Sequence, residues 1–79
     1  MSYTNLVEHI AKSIVAEPES VEVEEIHEQD GLTYYINVAP SDVGKLIGKN
    51  GRVITAIRYF VSAVAAKQRR RAFVRVKTD

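Results

Sequence analysis

The residues best suited to chemistry lie in one stretch, Leu46-Ile47-Gly48-Lys49-Asn50-Gly51-Arg52-Val53-Ile54. Two glycines bracket a lysine and an asparagine, an arginine follows, and an apolar pair flanks each side. Without a Cβ, glycine lets its amide come close to a ligand and reaches torsions closed to other residues. Such a turn at the start of a helix offers backbone N–H donors to a group of phosphate size and charge. Lys49 and Arg52 add positive charge at the same point, with Lys45 just upstream.

Other chemistries find little support. His9 and His27 stand far apart, one in a helical pattern and one in a strand pattern, and neither has a carboxylate at a metal-ligand spacing. The chain has no cysteine, so it has no thiolate nucleophile, disulfide or thiolate metal site. Ser41 reads as a helix cap, and the acidic run from Glu17 to Asp30 has no acid–base partner. The segment from Gly44 to Asn50 loosely resembles a nucleotide-hydrolase phosphate loop. It has three residues between its glycines where that loop needs four, and Asn50 stands where a Ser or Thr would bind magnesium. The expectation is a protein that is not an enzyme, with no catalytic residues, metal, cofactor or small-molecule substrate.

With 79 residues, 46% apolar and 27% charged, the chain reads as a soluble globular domain covering residues 1–79 with one modest core. No apolar run approaches the ~20 residues of a membrane span, and no secretory signal is visible, so a cytoplasmic location away from membranes is expected. The net charge of +1 hides a division: residues 1–40 carry −7 and residues 41–79 carry +8. A basic half of this kind suits a polyanion, and an acidic half repels one.

The elements that must position the glycine turn can be read in order. Leu6, Val7, Ile10, Ile14 and Val15 give helical spacing over 4–16, with Asn5 and Glu8 as a capping box and Pro18 as the stop. Residues 21–28 and 32–39 read as a hairpin closed by Gln29-Asp30-Gly31, Gly31 suiting a positive φ. Leu32, Tyr34, Ile36 and Val38 alternate as a buried face, while Ile26 breaks the phase of the first strand and suggests a bulge or an edge position. Ser41 is expected to cap a short helix over 42–47, with Asp42 complementing its N-terminus and Gly44 marking close backbone packing. A long helix over about 52–66 follows, then the basic loop Lys67-Gln68-Arg69-Arg70-Arg71 and a last strand, Ala72 to Lys77.

The turn therefore joins two helices whose apolar residues can line a groove. A single strand of nucleic acid would lay its phosphates on Gly48, Lys49, Asn50 and Gly51 and its bases against Val43, Leu46, Ile47 and Val53. The order helix–strand–strand–helix–GxxG–helix–strand, with Asp42-Val43-Gly44-Lys45-Leu46-Ile47-Gly48-Lys49-Asn50-Gly51-Arg52 at its centre, resembles the KH domain in its type II, bacterial arrangement. A free-standing domain of this size, continuing Thr55-Ala56-Ile57-Arg58, is similar to the KhpA-like family of small cytoplasmic bacterial RNA-binding proteins. The resemblance implies an α+β fold, α-β-β-α-α-β, with a three-stranded sheet and three helices on one face. It implies single-stranded RNA as partner and an RNA chaperone or post-transcriptional regulator linked to cell elongation and division. Carried over by position, Gly48, Lys49, Asn50 and Gly51 would meet the backbone phosphates, and Val43, Ile47, Val53 and Ile54 would support or line the groove, with Lys45 and Arg52 also among the RNA-binding residues. The short acidic hairpin loop from Glu28 to Gly31 is expected to add little to RNA contact.

The long helix carries two apolar stripes. One is Ile54, Ile57, Val61 and Val64; the other is Val53, Ala56, Phe60 and Ala63, with Tyr59 beside it. A helix on one side of a sheet needs a single stripe. The second is expected to meet bases near its start or another subunit further along, unless the helix is buried all round in its own domain. The resemblance implies a homodimer and pairing with a KhpB-like KH protein. A different reading follows from the same stripe: a protein-interaction module that dimerises through this helix and binds little RNA of its own.

Overall fold

The computed structural model describes residues 2–77. Its elements are α1 (Thr4–Ile14), β1 (Glu22–Glu28), β2 (Gly31–Asn37), α2 (Val43–Ile47), α3 (Arg52–Lys67) and β3 (Ala72–Val76), with 3₁₀ turns at Pro18–Ser20, Pro40–Asp42 and Lys49–Gly51. The sheet order is β1-β2-β3. β1 runs antiparallel to β2 and β3 parallel to it, so the expected α+β order holds with a mixed sheet.

The alternation in β2 puts Leu32, Tyr34 and Ile36 on the helical side, where Ala72 and Val74 of β3 join them. Val7 and Ala11 of α1, Leu46 of α2, and Ile54, Ile57, Val61 and Ala65 of α3 close over them. Fully burying such an aliphatic side chain is worth about 1.5–3 kcal/mol, so this one layer holds the three helices on the sheet. Ile26 needs no bulge. The β1–β2 register runs unbroken from Glu22↔Asn37 to Glu28↔Gly31, β1 is an edge strand, and Ile26 opposes Thr33 on the face away from the helices.

Three local expectations are corrected. Asn5 does not cap α1. Tyr3 holds the N-cap position, its carbonyl accepting from Val7 N–H at 3.0 Å, and Ser2 Oγ accepts from Thr4 N–H at 3.1 Å. The reason is tertiary: Tyr3 is buried with Val7 and Ala11 along one seam, and its own N–H donates to the Tyr34 hydroxyl at 2.8 Å. Ser41 makes no cap either, its hydroxyl lying 3.3 Å from a Glu17 carboxylate oxygen. Asp42, only 1% exposed, holds the N-cap position of α2 without a capping hydrogen bond, and its carboxylate accepts from the N–H groups of Ala16 and Glu17, both at 3.0 Å. It thereby fastens the end of α1 to the start of α2. Those donors, that of Ala16 first, and Lys45 Nζ at 3.7 Å hold its carboxyl below the usual carboxylate range. Gly44, third, packs against no other backbone. It is exposed, and a Cβ built there meets nothing within 4 Å.

Candidate nucleic-acid interface

α2 ends where Gly48 N–H donates to Gly44 O at 2.8 Å, and Gly48 adopts φ 79°, ψ 171°. A Cβ at this position would overlap the side chain of Val53, so packing and torsion both select glycine. The chain then turns through Lys49–Gly51, with Gly51 N–H donating to Gly48 O at 3.1 Å. Asn50 (φ 58°) and Gly51 (φ 73°) are both left-handed. Asparagine is among the few non-glycine residues that visit that region readily, which accounts for its place beside the second glycine. A Cβ at Gly51 meets nothing within 4 Å, so the outer side of the turn is open. Lys49, Asn50 and Arg52 are exposed there. The turn also opens α3, whose N-terminal amides and dipole favour an anion.

Beside the turn lies a groove of about 350 Å³, lined by Tyr35, Ile47, Ile54, Arg58, Arg75 and Val76. One wall comes from α2 and α3, the other from β3, with Tyr35 from the middle strand. Arg58 Nε donates to Val74 O at 2.9 Å, which fixes the guanidinium against the β3 edge. The lining holds two arginines and no carboxylate. The larger cavity, about 860 Å³ on the far side of the sheet, shares Tyr35 and Arg75 with this groove but adds Glu28 and Asp30, which makes it less favourable to a polyanion.

The structure brings most of the expected residues together. Ile47 and Ile54 line the groove, Val53 packs against Gly48 at its entrance, and Val43 is half-buried against the core. Lys45 is exposed on α2, within 3.7 Å of the buried Asp42. Leu46 is corrected: it is fully buried in the core and cannot meet a base. Arg58, Arg75, Val76 and Tyr35 were missed. For Arg58 a signal exists, since it follows Ile54 by one helical turn; for Arg75 and Val76 only the strand pairing reveals their nearness.

The second stripe of α3 lies outside the core. Tyr59 is 74% and Phe60 52% exposed, with Ala56 and Ala63 also exposed and Val53 half-buried. The helix is therefore not buried all round. The basic run lies at its other end, about 24 Å from the turn at 1.5 Å per residue. There Arg69, Arg70 and Arg71 adjoin the hairpin loop of Glu28 to Gly31. No helix among the described residues is long and apolar enough to cross a membrane. No cluster of His, Cys, Asp or Glu among them could hold a metal ion.

Comparison with known proteins agrees with this architecture. A family model described as "KhpA/KhpB, KH domain" matches residues 4–76. The chain is 46% identical over 71 residues to the RNA-binding protein KhpA of Caldanaerobacter subterraneus subsp. tengcongensis, covering 90% of this chain and 95% of that one. It is 44% identical over 71 residues, with the same coverage, to the RNA-binding protein KhpA of Clostridium perfringens. To that of Halalkalibacterium halodurans it is 47% identical over 66 residues, 84% of this chain and 87% of that one. With the glycine turn, the groove and the helix order in place, and the match running through nearly all of the described residues, the chain belongs to the KhpA/KhpB KH-domain family.

Proposed function

We propose that this chain is a non-enzymatic, cytoplasmic single-stranded RNA-binding protein. Phosphates rest on the turn of Gly48, Lys49, Asn50 and Gly51, aided by Arg52 and Lys45. Bases enter the groove past Val53 to Ile47 and Ile54, with Val43 supporting the wall from behind. One observation carries this reading: the groove beside the turn adds Arg58 to Arg75 and holds no carboxylate, whereas the far cavity sets Glu28 and Asp30 against the same Arg75. The KH family membership implies about four unpaired nucleotides along the turn and groove, whose faces and edges are accessible as those of a duplex are not. The relatives' names support RNA as the ligand. The resemblance further supports a role as chaperone or post-transcriptional regulator in cell elongation and division. The test is replacement of Lys49 and Asn50 by aspartate. RNA retention is lost while the circular dichroism spectrum is kept, and wild-type binding falls with added salt as counterion release requires. Full RNA binding by the folded double variant overturns the reading.

The exposed Tyr59 and Phe60 favour a second activity alongside the first. Val53, Ala56, Tyr59, Phe60 and Ala63 form the surface through which α3 meets another KH protein, either a second copy or a KhpB-like partner. Two grooves on one assembly would also raise avidity for RNA. Phe60→Asp removes this interface, so that at dilute concentration the mass measured falls to that of the monomer; a wild type that is monomeric at high concentration and recovers no KH partner removes this reading.

A further inference from the structure

The face of the sheet turned away from the helices carries an ordered pattern. Cross-strand register puts its side chains in rows, and each row runs from β1 through β2 to β3. Glu24, Tyr35 and Arg75 form one row, and Ile26, Thr33 and Phe73 form the next. A third begins with Glu22 opposite Asn37 and ends at Lys77, whose N–H donates to Ile36 O at 2.8 Å and so extends the β2–β3 pairing. The β1 side is acidic, the β3 side basic, and an apolar band crosses between them. Among the described residues no ion pair joins the two sides within the protomer.

The band is partly built for contact. Phe73 is 44% and Ile26 37% exposed, yet Thr33 between them is only 3% exposed and donates its hydroxyl to the Glu28 carboxylate. The polar atom in the middle of the face is thus already satisfied and costs nothing further to cover.

We propose that a second copy of this chain docks on this face, sheet on sheet, about a two-fold axis running along β2. That axis keeps every row over itself and exchanges its ends. Glu24 of each copy then meets Arg75 of the other, Glu22 meets Lys77, Ile26 meets Phe73, and Tyr35 lies near the axis. An isologous interface requires a self-complementary surface, and the rows supply one in charge and in apolarity together. A two-fold across the strands would instead stack acid on acid and base on base, which is repulsive. Three strands at ~4.8 Å and seven residues at ~3.3 Å make a small face, well below the ~800 Å² per partner of a stable complex. The association is therefore weak and populated at high concentration, and because Tyr35 and Arg75 also line the groove, RNA seated there competes with it. It is separate from the α3 surface, and the two together would extend pairs into chains.

The test is sedimentation equilibrium of the 79-residue chain from roughly 0.01 to 1 mM, with RNA absent. Wild type self-associates, and added salt weakens the association. Glu24→Arg or Arg75→Glu alone weakens it by about tenfold or more, because two symmetry-related pairs become like charges. The double variant recovers to within about threefold of wild type. Phe60→Asp leaves this charge-dependent step in place. A wild type monomeric throughout, single variants without effect, a double variant that fails to recover, or an association abolished by Phe60→Asp alone would each overturn the proposal.

Discussion

Arg58 on α3 gives its Nε proton to the carbonyl oxygen of Val74 on β3 at 2.9 Å, while its side chain also lines the groove beside the glycine turn. One turn further along, Ser62 Oγ lies 3.3 Å from Ala72 O. β3 is an edge strand, and α3 uses these two side chains to occupy edge carbonyls that would otherwise be open to another strand. The bond to Val74 leaves the remaining guanidinium donors of Arg58 for a ligand.

Arg58→Ala is expected to weaken RNA binding about tenfold, the scale of one lost charged hydrogen bond at ~1.5 kcal/mol. Arg58→Lys is expected to restore the salt dependence without restoring affinity, because a lysine ammonium cannot hold the Val74 carbonyl and also offer a planar pair of donors. Binding isotherms of both variants across a salt series check this. Full affinity in Arg58→Lys would reduce the role of Arg58 to charge alone.

The glycines around the turn divide by environment. Gly44 sits in α2 with open space at its Cβ position, so Gly44→Ala is expected to stabilise the fold by about 0.5–1 kcal/mol. Gly48→Ala is expected to destabilise by about 2 kcal/mol or more, since its φ of 79° and the side chain of Val53 both resist a Cβ. Gly51→Ala falls between them, with a strained φ of 73° and open space around it. Urea denaturation of the three variants measures the order directly.

Much of this could be read from the chain because its local patterns and its tertiary needs coincide. Leu32, Tyr34 and Ile36 alternate and are buried; Ile54, Ile57 and Val61 recur at helical spacing and are buried. Reading failed where a distant partner outweighed a local pattern. Asn5 and Glu8 form an acceptable capping box, yet Tyr3 starts the helix because Tyr34, thirty-one positions away, accepts its amide proton. Asp42 suits a helix N-terminus, yet its carboxylate serves Ala16 and Glu17. The second wall of the groove, Arg75 and Val76, reaches the turn only through the parallel β2–β3 pairing, which no spacing in the chain announces.

The end of α3 supplies a further test. Arg70 N–H donates to Ala65 O and Arg69 N–H to Ala66 O, both at 3.0 Å, the paired bonds of a Schellman motif. The left-handed position of that motif usually holds glycine; here Arg69 occupies it at φ 58°. Arginine in this region costs about 1 kcal/mol. Arg69→Gly is therefore expected to raise the melting temperature by about 5 °C. Its RNA affinity is expected to change little, since the turn lies at the other end of the helix. A large loss of affinity at unchanged stability would extend the footprint to the basic loop.

Glu25 gives the acid response a specific origin. Its carboxylate accepts from Ser2 Oγ at 2.5 Å, the Tyr34 hydroxyl at 2.7 Å and Thr4 Oγ1 at 3.2 Å, and lies 2.8 Å from His27 Nε2. These bonds, that of Ser2 first, lower its pKa from 4.5 to about 2, while burial and the same carboxylate push the Tyr34 hydroxyl upward. A carboxyl whose folded pKa is depressed contributes stability fully above its unfolded value and loses it as pH falls through the folded one. The fold is therefore expected to hold its stability above pH 4.5 and to lose this contribution between pH 4.5 and about 2. Asp42 acts in the same direction. Glu25→Gln should lower the melting temperature at pH 7 by about 5 °C, the scale of a lost charged hydrogen bond. It should also flatten the acid limb, so that wild type and variant converge near pH 2. Thermal melts of both proteins across that range measure the convergence, and parallel curves would place the acid sensitivity elsewhere in the molecule.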